Sequence, residues 1–189
     1  EIAAMRMFSA LKNNDKVGLI TFCDEIVEFI PPRKGKAHVL RLIRQLVDVH
    51  PVPRPTDLQQ ALEFLNRVQK RRAVVFLVSD FLGTLPGQTL AAANRRHDLT
   101  AITITDPREV ALPDVGFLCL RDAETGEVVE LDTRHPRVRS LFETQASERL
   151  ESLARQLKRL GVDQLPVNTR DDYLVDLRRF FTMREQRFR

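Results

Sequence analysis

The chain has 189 residues, 43% hydrophobic and 30% charged, with a formal net charge of +4. That length and composition suit one soluble globular domain with its own core. No apolar run approaches the ~20 residues needed to cross a bilayer, so no membrane span is expected here. No signal-peptide pattern opens the chain, which reads as a fragment whose targeting segments could lie upstream.

Two cysteines, Cys23 and Cys119, are too few for a disulfide framework or a zinc site. They read as reduced core thiols in a cytoplasmic protein. The charge is uneven: residues 177–189 hold five arginines against Glu185, which is 5 − 1 = +4, and everything before them balances at 25 − 25 = 0. Residues 170–189 are therefore expected to form a basic C-terminal helix, whose charge complements a helix dipole as readily as a polyanion.

In chain order, Ala4, Met7, Phe8 and Leu11 mark the inward face of an opening helix, ended by NNDK at 13–16. VGLITF at 17–22 reads as a short strand, and IVEFI at 26–30 as its hairpin partner, stopped by Pro31 and Pro32 and so an edge. Val39, Leu42, Ile43 and Leu46 give the next helix face. After the proline-punctuated HPVPRP at 50–55, Leu58, Ala61, Leu62, Leu65 and Val68 give another.

AVVFLVS at 73–79 is a continuously apolar strand, followed by a helix near 87–97 and the strand LTAITIT at 99–105. GFLCL at 116–120 and VVEL at 128–131 alternate as a half-buried hairpin. A long amphipathic helix from Val138 to Leu160 meets Gly161 where a C-cap is expected. A strand at 162–167 precedes the final helix, with Tyr173, Leu174, Leu177, Phe180 and Phe181 inward. Strands alternating with helices, and strands apolar throughout, predict an α/β sheet covered on both faces. Ligands in such sheets bind outside the carboxyl ends of the strands.

Three such ends present oxygen donors: Asp80 after 73–79, Asp106 after 99–105, and Thr56-Asp57 at a helix start. Hard oxygen ligands suit Mg²⁺, Mn²⁺ or Ca²⁺. Each also has an ordinary structural use. Thr56 with Gln59 makes a T-x-x-Q capping box, Asp106 before Pro107 opens a turn, and Asp80 ends a strand. The four histidines lie away from these ends in sequence, and no P-loop, G-x-G-x-x-G or G-x-S-x-G occurs. A metal-dependent hydrolase or phosphoryl-transfer enzyme using Asp80 and Asp106 therefore remains only an alternative. Nucleic-acid binding is not expected, because Phe180 and Phe181 fit a buried face and the body has no net positive charge.

The run DKVGLITFCDEIVEFIPPRKGKAHVLRLIRQL, then PTDLQQAL, then VVFLVSDFL, and the ending GVDQLPVNTRDDYLVDLRRFFTMREQR, resemble the bacterial "domain of unknown function 58" family, whose domain is von Willebrand factor A-like. The resemblance covers nearly the whole chain. It implies a single domain over residues 1–189, of three layers and Rossmann-like, with a mostly parallel sheet carrying one antiparallel edge strand. It implies a non-enzymatic adaptor working with a MoxR-type AAA+ ATPase. It also implies a divalent cation, such as Mg²⁺, at the top of the sheet, with Thr56 and Asp80 as ligands and Asp57 reaching it through water.

That site's main loop, Asp-x-Ser-x-Ser, appears nowhere in the sequence. By resemblance it follows a first, central strand that lies between VGLITF and AVVFLVS in the sheet. The expectation is a chain entered within its first helix at Glu1, with an open place in its sheet. Residues before Glu1, or self-association with another chain, are expected to fill that place, because unpaired strand edges are seldom left in a core.

Overall fold

The computed structural model describes residues 2–49, 54–122 and 126–170, apart from the side chain of Arg6. The final helix expected beyond 170 lies outside the described residues. Helix α1 (Ile2–Lys12) is followed by β1 (Val17–Phe22), β2 (Ile26–Arg33), α2 (Lys36–Asp48) and α3 (Leu58–Val68). Then come β3 (Val74–Ser79), α4 (Gly87–Arg96), β4 (Asp98–Thr105), a 3₁₀ turn at Pro107–Glu109, β5 (Phe117–Arg121) and β6 (Val128–Asp132). Helix α5 (Pro136–Arg159) and strand β7 (Asp163–Asn168) complete the described elements.

Among the described residues, parallel pairing is confined to one three-stranded sheet, in the order β3-β4-β7. Its central strand β4, DLTAITIT, has five consecutive buried residues, as a strand covered on both faces requires. On one face, α3, α4 and α5 supply Leu58, Leu62, Leu90 and Leu157, packed against Leu77, Leu99 and Ala101. On the other, Ile2 and Met5 of α1 cover Phe76, Ile102, Leu165 and Val167. Met7 and Leu11 of the opening helix face inward as expected, and Phe8 does not. Ile2 is buried while Phe8 is 45% exposed, because the helix must meet sheet residues at its first turn.

The antiparallel pair β1–β2 forms a separate sheet, and its strand β2 continues through Pro31 and Pro32 where an end at residue 30 is expected. Proline is tolerated there because, among the described residues, β2 has no partner on its far side. Gly18 lies at the register shift between Val17 and Leu19. A Cβ on it would come within 2.9 Å of the Ile30 carbonyl oxygen, so the close approach needs glycine. Met7 and Leu11 of α1 join Val39 and Leu42 of α2 over Val17, Leu19 and Ile30.

Two helices therefore span two sheets. Helix α1 packs on both, and α3 reaches from the Leu77 cluster to Phe22 and, through an edge-on contact of Phe64 with Phe29, to β2. Yet among the described residues β1 pairs only with β2, and β3 only with β4. Strand β3 is apolar throughout, but Val74 and Val78 remain 57% and 39% exposed.

The hairpin β5–β6 stands apart from both sheets. Cys119 lies on it and is exposed, not a core thiol, because neither face of the hairpin joins the main core clusters. Helix α5 ends as expected, with Gly161 at φ 67° and Val162 N–H returning to the Leu157 carbonyl.

Candidate functional site

The carboxyl ends of β1 and β3 and the start of α3 are brought together by short contacts. The Asp57 N–H donates to the Cys23 carbonyl at 2.9 Å, tying the turn after β1 to the start of α3. Gly83, in the loop after β3, lies so near the Thr56 carbonyl oxygen that a Cβ would be 3.8 Å from it. Three loops therefore meet: residues 23–25, 54–57 and 80–83.

Asp80 stands exposed at the tip of β3. Phe81, next to it, is buried in the main cluster and takes a left-handed conformation, φ 55°. A bulky residue adopts that region only when its surroundings impose it. Burying the Phe81 ring turns the chain sharply, and Asp80 is left facing solvent. The turn is held by Ser79 Oγ, which accepts from Phe81 N–H at 3.1 Å, and by Asp80 Oδ1, which accepts from Leu82 N–H at 3.2 Å.

Thr56 is not the cap of α3, contrary to the T-x-x-Q expectation. Asp57 is the N-cap, its Oδ1 accepting from Gln60 N–H at 3.0 Å, because the helix starts one residue later, at Leu58. Thr56 is exposed beside it. Asp106 is drawn away into its own work. Its carboxylate accepts from Arg108 N–H at 2.8 Å and from the Thr169 hydroxyl at 3.1 Å, and Glu109 returns to the Asp106 N–H in a reciprocal cap. The Arg108 amide, then Thr169, hold the Asp106 carboxyl below its ordinary range.

A sequence reading passes over three further residues in this region. Asp24 and Glu25, at the turn after β1, both pair with Arg54; Arg54 Nε lies 2.8 Å from Asp24 Oδ1. The Cys23 thiol, which donates to Asp24 Oδ1 at 3.1 Å, and then the Arg54 guanidinium keep the Asp24 carboxyl below its usual value. An acidic pair closing an apolar strand, as Asp80 does, is the signal that could have found them; no local signal links them to Arg54.

Thr56, Asp57 and Asp80 carry oxygen atoms of the kind a hard cation takes, and the Asp57 and Asp80 carboxylates here accept the Gln60 and Leu82 N–H groups. Among the described residues no three His, Cys, Asp or Glu side chains converge on one point. The histidines are engaged elsewhere. His38 Nε2 meets the Val17 carbonyl at 2.8 Å, His97 is buried, and His135 lies 3.6 Å from Asp132. His50 lies outside the described residues. No helix among the described residues is long and apolar enough to cross a membrane.

Residues 1–152 match the family model described as "Protein of unknown function DUF58". Uncharacterized proteins of Mycobacterium tuberculosis and Mycobacterium bovis are each 34% identical over 160 residues, which is 83% of this chain and 50% of theirs. The chain thus spans about half the length of these relatives. An uncharacterized protein of Mycobacterium avium shares 34% identity over 160 residues, 94% of its length. Among solved structures, an aerotolerance-related membrane protein of Bacteroides fragilis is similar, with a TM-score of 0.50 at 16% identity over 94% of this chain and 84% of that one. At that identity the likeness concerns the fold alone.

Proposed function

The chain belongs to the DUF58 family of proteins of unknown function, and from that premise we propose a von Willebrand A-like adaptor that binds protein partners without catalysing a reaction. The observation that carries this reading is the pair of sheets spanned by shared helices. Helices α1 and α3 each pack on both, while the facing strands β1 and β3 stay unpaired with each other. One further strand between them, at the usual spacing of ~4.8 Å, joins the two into a single sheet of order β2-β1-strand-β3-β4-β7. That strand comes from residues other than the described ones or from a second copy. The loop following it reaches the Cys23, Thr56 and Asp80 loops and supplies the cation ligands missing from them.

In that arrangement Thr56 and Asp80 hold Mg²⁺ or a similar ion directly, and Asp57 reaches it through water. Few protein charges on the ion leave it able to accept a carboxylate from a partner as a further ligand. A MoxR-type AAA+ ATPase is the partner we propose, in the cytoplasm, with nucleic acid playing no part. The hydrolase alternative needs Asp80 and Asp106 on one metal, and the Asp106 carboxylate is already taken by Arg108 and Thr169.

Calorimetric titration of the whole protein with Mg²⁺ tests the reading. Binding that weakens at least about tenfold in Asp80→Ala is expected from losing a charged ligand. Binding unchanged by Asp80→Ala removes the cation site. Failure to co-purify with a MoxR-type ATPase removes that partner.

A further inference from the structure

Two oppositely charged surfaces lie outside the site just described. Residues 29–47 include Arg33, Lys34, Lys36, Arg41 and Arg44 and no acidic residue. All five cations are exposed, and none joins an ion pair among the described residues. They occupy the end of β2, the turn before α2 and the outer side of that helix, whose inner side buries Val39 and Leu42. Leu40 and Val47 stand among them, 45% and 77% exposed. At helical spacing Lys36, Leu40, Arg44 and Val47 fall along one stripe, aliphatic and cationic by turns.

The hairpin offers the complement. Residues 114–134 carry six acidic residues against Arg121 and Arg134. Phe117, Val128 and Val129 are 73%, 50% and 53% exposed. Its Leu118, Leu120 and Leu131 belong to none of the three core clusters. A two-stranded hairpin with no further partner is marginally stable in water, so this one has surface to cover. Its root is clasped to the body: Arg139 of α5 pairs with Asp114 at 3.2 Å and donates to the Thr133 carbonyl.

We propose that the acidic, apolar hairpin of one copy docks on the basic outer side of α2 in a second copy. Like charge keeps each surface from its own twin, so α2 against α2 and hairpin against hairpin are both disfavoured. The contact is heterologous: reciprocal docking closes two copies into a dimer, and one-way docking extends into a chain. Few aliphatic anchors among many exposed charges make it weak and sensitive to salt.

Sedimentation velocity of the whole chain over a range of concentrations, at about 0.05 M and about 0.5 M salt, tests this. The average mass is expected to rise with concentration at low salt and far less at high salt. Arg41→Glu with Arg44→Glu, or Glu127→Lys with Glu130→Lys, weakens association about tenfold or more, since each sets like charges face to face. A chain carrying all four changes recovers it. Unchanged thermal melts establish that these surface variants fold. A monomer at every concentration overturns the proposal, as does association indifferent to salt and to either reversal; the latter is also what filling the β1–β3 gap with a second copy would give. Loss in both pairs without recovery in the combination overturns it as well. So does a monomer that binds phosphatidylserine vesicles or a DNA duplex through the same cations.

Discussion

Strands β4 and β5 are both rich in apolar residues and do opposite things with them. In β4 five residues in succession are buried, with helices over both faces. In β5 the pattern alternates, and Phe117 at its start is 73% exposed. Burial, not sequence periodicity, separates the two: β4 buries even Thr100 and Thr103 because helices cover both its faces, whereas Phe-Leu-Cys-Leu of β5 is covered on one side only. The β4 sheet carries the stability of the molecule. The hairpin adds no residue to its core clusters.

Truncating one large side chain on each side is the strongest way to break that contrast. Leu157, fully buried against the sheet, should cost about 3 kcal/mol as Leu157→Ala, read from urea unfolding. Phe117→Ala should cost less than about 0.5 kcal/mol. Equal losses would make the hairpin part of the core.

A smaller effect separates the regions by pH. His97, where α4 turns into β4, is 1% exposed, and neither ring nitrogen has a hydrogen-bond partner among the described residues. Burial, then the neighbouring Arg96 charge, lowers its pKa. A group whose folded pKa is depressed in this way favours its neutral form. Its contribution is complete above the unfolded value of about 6.5 and is lost as pH falls below it. His97→Leu should flatten unfolding midpoints between about pH 7.5 and about pH 5.5, by about 1 kcal/mol at the acid end. An equally steep acid loss in the variant would place the cause elsewhere.

The smallest effect belongs to the hairpin. Asp132 is held down to about 2, first by its hydrogen bond to the Arg134 side chain. Its contribution is present above the ordinary carboxylate value and disappears as pH falls through about 2. Asp132→Asn should speed amide exchange in β5 and β6 at neutral pH and leave β4 unchanged. Faster exchange in β4 would couple the two regions.

Much of the fold was legible because the deciding signals are local. The strands at Val17–Phe22 and Val74–Ser79, the helix at Leu58–Val68 and the Gly161 cap follow from apolar spacing and one left-handed glycine. What escaped depends on distant neighbours. Phe8 turns outward because Ile2 must meet strands β4 and β7. Strand β2 runs through two prolines because its outer edge has no partner among the described residues. In the candidate site, Thr56, Asp57 and Asp80 stand at the joined loops, whereas Arg54 finds Asp24 and Glu25 across nearly thirty residues, beyond any local pattern.

The unpaired edges of β1 and β3 bear most directly on the adaptor reading. In a strand, alternate amides point to opposite neighbours. Hydrogen exchange on the whole protein, followed residue by residue, can therefore ask whether something lies between them. With the gap filled, both alternating sets of β1 and β3 amides should exchange slowly, as those of β4 do. Slow exchange in only the sets that face β2 and β4, with the others as fast as a free edge, would mean that no strand joins the two sheets and would remove the basis of the proposed site.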